Sequence, residues 1–166
     1  MPARRFLLAG LLAPLLTPLL GAAARAGLPA PTGRVVLTVT GPGRVATDLD
    51  LAAIESLGLV TVATVTPWTE GVVRFEGVPL AALIDAVAPG AATVQATAIN
   101  DYAVEIPVED ARRYGVIVAT RLNGRPMSVR DKGPLWIIYP WSAHPEIDEP
   151  TYHARSIWQL RTMALR

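Results

Sequence analysis

Hydrophobic residues recur along this chain in short runs of two distinct periods. Val35, Leu37 and Val39 alternate with Val36, Thr38 and Thr40, a period of two that predicts a β-strand ending at Gly41-Pro42-Gly43. Asp48 is placed to cap a short helix running to about Leu57, with Leu51, Ile54 and Leu57 on one face. The β-branched run from Leu59 to Thr66 predicts a second strand, stopped by Pro67. Pro79 opens a helix whose apolar stripe is Leu80, Leu83, Ile84 and Val87, and Pro89-Gly90 ends it. Val94 to Ala98 and Tyr102 to Ile106 read as strands joined through Asn100-Asp101. Pro107 starts a helical turn with Glu109 and Asp110 at its positive end, and Gly115 closes it. Val116 to Leu122 and Leu135 to Tyr139 are further strands with the turn pair Asn123-Gly124 between them, and Arg155 to Leu165 predicts a last one. Many short strands with three short helices predict an α+β domain rather than a doubly wound sheet.

The first 26 residues follow another plan. Arg4 and Arg5 precede an apolar run from Phe6 to Leu20, broken by Pro14 and Pro18, and Ala24-x-Ala26 supplies a small-residue cleavage pattern. This predicts a signal peptide over residues 1–26 and an exported, periplasmic domain over residues 27–166. The apolar run is short for a membrane span, and no later segment predicts one. Arg4-Arg5 lacks the spacing of a full twin-arginine motif, which points to export unfolded and to a ligand met outside the cytoplasm.

Charge and cysteine usage exclude several classes. Loss of residues 1–26 leaves 12 basic and 14 acidic side chains, so nothing points to nucleic acid or an anionic membrane surface. The chain has no cysteine. Disulfides, thiolate nucleophiles, iron–sulfur ligation and thiolate–metal sites are therefore absent from its chemistry.

Five segments in register carry a resemblance. They are Phe75-Glu76-Gly77-Val78-Pro79-Leu80, Ala98-Ile99-Asn100-Asp101-Tyr102, Leu122-Asn123-Gly124-Arg125-Pro126-Met127, Lys132-Gly133-Pro134-Leu135-Trp136-Ile137-Ile138-Tyr139-Pro140 and Ser156-Ile157-Trp158-Gln159-Leu160. Together they resemble the oxidoreductase molybdopterin-binding family, the central domain of sulfite oxidases. The resemblance implies a sulfite-oxidase-like α+β fold of mixed sheets with short helices, and a molybdopterin-type cofactor. Those enzymes hold molybdenum through a cysteine just before the Phe-x-Gly-Val-Pro-Leu segment. Here that stretch is Val62-Ala63-Thr64-Val65-Thr66-Pro67-Trp68, and threonine hydroxyls do not replace a thiolate, so molybdenum is not expected.

Within that fold the chain is similar to the PruR-type periplasmic proteins, which lack the cysteine. That likeness implies a reduced, tetrahydropterin-like ligand and a partner in the periplasmic part of a membrane-bound diguanylate cyclase or phosphodiesterase. A pterin needs an aromatic face and an acceptor for its amino-pyrimidine edge. Trp68, after Thr66-Pro67, is the candidate platform. Asp101 is the candidate carboxylate, flanked by Asn100 and Tyr102. The bland alternative is that Asn100-Asp101 only makes a turn and Trp68 only fills the core. Lys132, the single lysine, and Arg130 are candidates for an anionic tail, as are Arg121, Arg125 and Arg155, unless each is a solvated surface charge. His144, Glu146, Asp148, Glu149 and His153 gather in one segment that suits a pocket rim or a partner-facing loop better than any recurrent metal motif. Trp141 is expected at the pocket mouth, while Trp136 and Trp158 are expected in the core. Two rival classes stand beside the binding module: a small molybdopterin-dependent oxidoreductase with non-cysteine ligation, and a ligand-free interaction domain.

Overall fold

The computed structural model describes residues 27–166, and the predicted leader lies outside them. The described residues form two five-stranded sheets with four short helices (α+β). The first sheet runs in the order β2 (Ala46–Leu49), β1 (Leu37–Thr40), β10 (Leu160–Leu165), β5 (Thr93–Ala98) and β6 (Ala103–Pro107). Only β1 and β10 pair in parallel; the others are antiparallel, so this sheet is mixed. The second sheet runs β3 (Val60–Thr64), β4 (Val73–Pro79), β7 (Ile117–Leu122) and β8 (Arg125–Pro126), with β9 (Trp136–Ile138) also paired to β7.

Helix boundaries follow local chemistry. α1 (Leu51–Glu55) is capped by Asp50, whose Oδ1 accepts from Ala53 N–H at 2.8 Å. Asp50 Oδ2 accepts from Thr32 and Gly33 N–H at 2.8 and 2.7 Å, pinning the lead-in to the helix. The cap is thus two residues beyond Asp48, which lies in β2 and accepts from the Thr38 hydroxyl at 2.6 Å. α2 (Leu80–Val87) follows β4 directly and buries Leu80, Leu83 and Ile84, the stripe read from sequence. α3 (Val108–Tyr114) places Glu109 and Asp110 in its first turn and ends at Gly115, whose φ of 69° suits a residue without a side chain. α4 (Pro150–Arg155) occupies a stretch whose pattern predicts no helix, and the last strand begins at Leu160 and not at Arg155.

Gly77 marks the tightest point between strands. The register of β4 on β7 shifts between Glu76 and Gly77, and a Cβ there would run into the Val118 carbonyl and the Ala119 backbone. The larger core gathers residues of both sheets and of α1, α2 and α3, among them Leu37, Ile54, Leu83, Val94, Val118 and Leu160. A smaller core joins Phe75, Ile117, Met127, Trp136 and Ile138. Trp68 packs on both. No helix among the described residues is long and apolar enough to cross a membrane.

Candidate functional site

Beyond β3 the chain is tied down by hydroxyls. Thr64 Oγ1 accepts from Ser142 N–H at 3.0 Å, and Ser142 Oγ accepts from Val65 N–H at 3.0 Å. Thr66 Oγ1 bonds Thr69 Oγ1 at 2.8 Å and accepts from Trp68 N–H at 3.2 Å, a local turn that fixes the start of the Trp68 side chain. Thr64 and Thr66 are both buried. Their hydroxyls organise the loop around Trp68.

Trp68 stands at the centre of an aromatic cluster. Its ring centroid lies 5.2 Å from Trp158, 5.9 Å from Trp136, 6.1 Å from Trp141 and 6.1 Å from His153, with three of these contacts edge-on. On one side of the cluster opens a cleft of about 340 Å³, lined by Trp68, Ala98, Asn100, Tyr102, His153, Ala154, Ser156, Ile157 and Trp158. That is at the small end of the ~300–1,000 Å³ range of ligand pockets, and suits a flat bicyclic ring. The β5–β6 turn and α4 face each other across it, joined where the Tyr102 hydroxyl donates to the Ala154 carbonyl at 3.1 Å. Ile99 N–H donating to the Gln159 carbonyl at 2.9 Å ties the turn to the residue just before β10.

The residues singled out in the sequence divide into three groups. Trp68, Asn100 and Tyr102 line the cleft, and Thr66 positions Trp68. Lys132 lies beside it, its ammonium 5.2 Å from the Trp158 ring and 5.9 Å from Trp136. The rest lie elsewhere. Asp101 adopts the left-handed turn conformation with φ 64°, its carboxylate 82% exposed and paired with Arg161 at 3.2 Å, so it does not face the cleft. Trp141 is buried, donating to the Ile147 carbonyl at 3.0 Å, and backs Trp68 rather than forming the mouth. Arg130 and Arg125 are exposed, Arg121 forks onto Glu55 at 2.7 and 3.0 Å, and Arg155 meets Asp110. Trp158 is half-buried and lines the cleft instead of filling the core.

The acidic segment resolves into two separate pairs. His144 Nδ1 meets Glu146 at 3.2 Å, and His153 Nε2 meets Asp148 at 2.8 Å. They do not converge, and no group of three His, Cys, Asp or Glu among the described residues is placed to hold a metal ion. His153 reaches the cleft. Sequence reading gave it no individual role, because nothing in its neighbours marks it as facing Trp68.

A polar network backs α4. The Tyr139 hydroxyl donates to Asp110 Oδ2 at 2.8 Å, and Arg155 Nη1 donates to the same oxygen at 2.9 Å. Burial, then the charge of Asp110, pushes the Tyr139 phenol well above the ordinary tyrosine range. On the far side the hydrogen bonds from Arg121 hold the Glu55 carboxyl below its ordinary value.

A model of the oxidoreductase molybdopterin-binding domain family matches residues 34–144, well over half of the chain. The chain belongs to this family. Its fold is similar to that of the sulfane dehydrogenase SoxCD from Paracoccus pantotrophus, with a TM-score of 0.57 and 16% identity, covering 78% of this chain and 37% of that one. The chain therefore spans well under half of that protein, and at this identity the likeness is one of fold. No curated protein sequence matches the chain.

A molybdopterin cofactor has two halves, and the residues treat them differently. The aromatic cleft fits a flat pterin ring. The metal half does not fit: there is no thiol in the chain, and the hydroxyls of Thr64 and Thr66 are already bonded, to Ser142 and to Thr69.

Proposed function

We propose that this domain is a periplasmic binding module for a reduced pterin, and that its occupancy regulates a membrane-bound enzyme of cyclic di-GMP turnover. The observation that carries the reading is the cleft itself. Its aromatic walls, Trp68 and Trp158, suit a flat heterocycle, while the stretch that would hold molybdenum has only internally bonded hydroxyls. The signal-peptide pattern of residues 1–26 and the similarity to PruR-type proteins support the compartment and the partner.

The test is calorimetric. Mature protein titrated with a tetrahydropterin should bind one equivalent, and Trp158→Ala should weaken binding by about 1–2 kcal/mol through loss of a stacking wall. Metal analysis of protein purified from the periplasm is the companion measurement. Stoichiometric molybdenum would turn the reading into that of a small oxidoreductase. No binding of any pterin would leave an interaction domain.

A further inference from the structure

We infer that His153, oriented by Asp148, is the residue that accepts a hydrogen bond from the exocyclic amine of the bound heterocycle. This rests on the pterin reading and names the group that reads the ligand's edge. Four polar side chains line the cleft. The Ser156 hydroxyl is buried and donates to the Ile137 carbonyl at 2.6 Å, and the Tyr102 hydroxyl donates to the Ala154 carbonyl. Asn100 Oδ1 accepts from Tyr102 N–H at 3.2 Å. His153 is the fourth.

Its chemistry follows from its one strong contact. Asp148 Oδ1 lies 2.8 Å from Nε2, and a carboxylate there accepts, so the ring proton belongs on Nε2. In the neutral ring the lone pair is then on Nδ1. Nδ1 has no partner among the described residues, and no described side-chain nitrogen or oxygen is both buried and unpartnered, so Nδ1 is accessible on a ring that lines the cleft. The ring is also held edge-on against Trp68, at 6.1 Å and 76°, and against Trp141, at 5.7 Å and 66°. A fixed acceptor beside an aromatic face is the combination that distinguishes an amino-substituted ring from one carrying oxygen at the same position. Asp101, turned to solvent and paired with Arg161, leaves that role unfilled.

The experiment compares two probes on the mature protein: tetrahydropterin, and the tetrahydro form of lumazine, which carries a carbonyl in place of the 2-amino group. Wild-type protein should prefer the pterin by about fivefold or more, the worth of one hydrogen bond with an unpaired group on the losing side. His153→Ala should erase that preference. Asp148→Ala, at a position 63% exposed, should reduce it by freeing the ring, with thermal melting showing that both variants fold. A preference retained in His153→Ala overturns the inference, as does equal binding of the two probes by wild type; both results leave the pterin cleft standing. Failure of wild type to bind either probe defeats the cleft reading as well.

Discussion

Arg155 Nη1 meets Asp110 Oδ2 at 2.9 Å across 45 residues of sequence, joining the end of α4 to the first turn of α3. The next three residues, Ser156, Ile157 and Trp158, line the cleft. The pair is thus a fastening for the cleft wall. The Asp110 side chain is 9% exposed and Arg155 21%, and Arg155 also lies over the Tyr152 ring at 5.4 Å. Asp110→Ala leaves a guanidinium and the Tyr139 hydroxyl without their acceptor. It should cost about 3–5 kcal/mol in urea unfolding, the range for breaking a buried pair from one side. A cost under about 1 kcal/mol would mean that water replaces the carboxylate easily.

Alkaline stability should report on Tyr139. Its phenol is raised by burial and by Asp110, and Tyr152 is raised through its hydrogen bond with Tyr114. In the unfolded chain both ionise near 10. A phenol raised in the folded state contributes its stability fully below the unfolded value, and that contribution declines as pH climbs past it. The melting temperature should therefore fall above about pH 10, and Tyr139→Phe should flatten the decline. Tyrosinate absorbance from every tyrosine before any loss of circular dichroism would contradict this.

The acid limb has the opposite sign. Asp50 is lowered chiefly by the Ala53 N–H and then by Gly33, and Glu55 chiefly by Arg121. Carboxyls lowered on folding contribute above the ordinary range, near 4, and lose that contribution as pH falls through it toward their folded values. Thermal melts from about pH 6 down to 2 should drop most steeply below about 4, and Glu55→Gln should make the drop shallower. A pH-independent melting temperature would show that neither carboxylate contributes.

Gly77→Ala should be among the most damaging single changes outside the cleft. The added methyl meets the Val118 carbonyl and the Ala119 backbone, not a movable side-chain tip, so β4 or β7 must shift. Loss of soluble expression, or destabilisation by about 3 kcal/mol or more, is the expected result. Near-wild-type melting would show that the register shift at Glu76–Gly77 relaxes freely.

Where apolar residues were periodic, the sequence was easy to read. Leu80, Leu83 and Ile84 named the buried face of α2, and the Asn100-Asp101 pair named the turn between β5 and β6. β2 carries no strand pattern because Leu49 is its only buried residue, and Thr47-Asp48 resembles the approach to a helix cap. α4 buries none of its own residues, so no apolar stripe announces it; long-range contacts such as Arg155 with Asp110 hold it. The cleft was half legible. Trp68, Asn100 and Tyr102 come from loops that turn signals expose, whereas His153 and Trp158 join them only once α4 has folded back over the β5–β6 turn. Asp101 shows the limit from the other side. A left-handed turn directs its carboxylate outward, and sequence does not tell which member of such a pair faces in.

The clustering of indoles around Trp68 gives the protein a built-in optical reporter. The chain has four tryptophans, and Trp136, Trp141 and Trp158 all contact Trp68 at ring-centroid distances of 5.2 to 6.1 Å. Light absorbed by any of the four is shared among close neighbours, two of which form the cleft wall. The whole tryptophan emission of the molecule therefore comes from one place, and a conjugated ring settling against Trp68 and Trp158 would dim all of it at once.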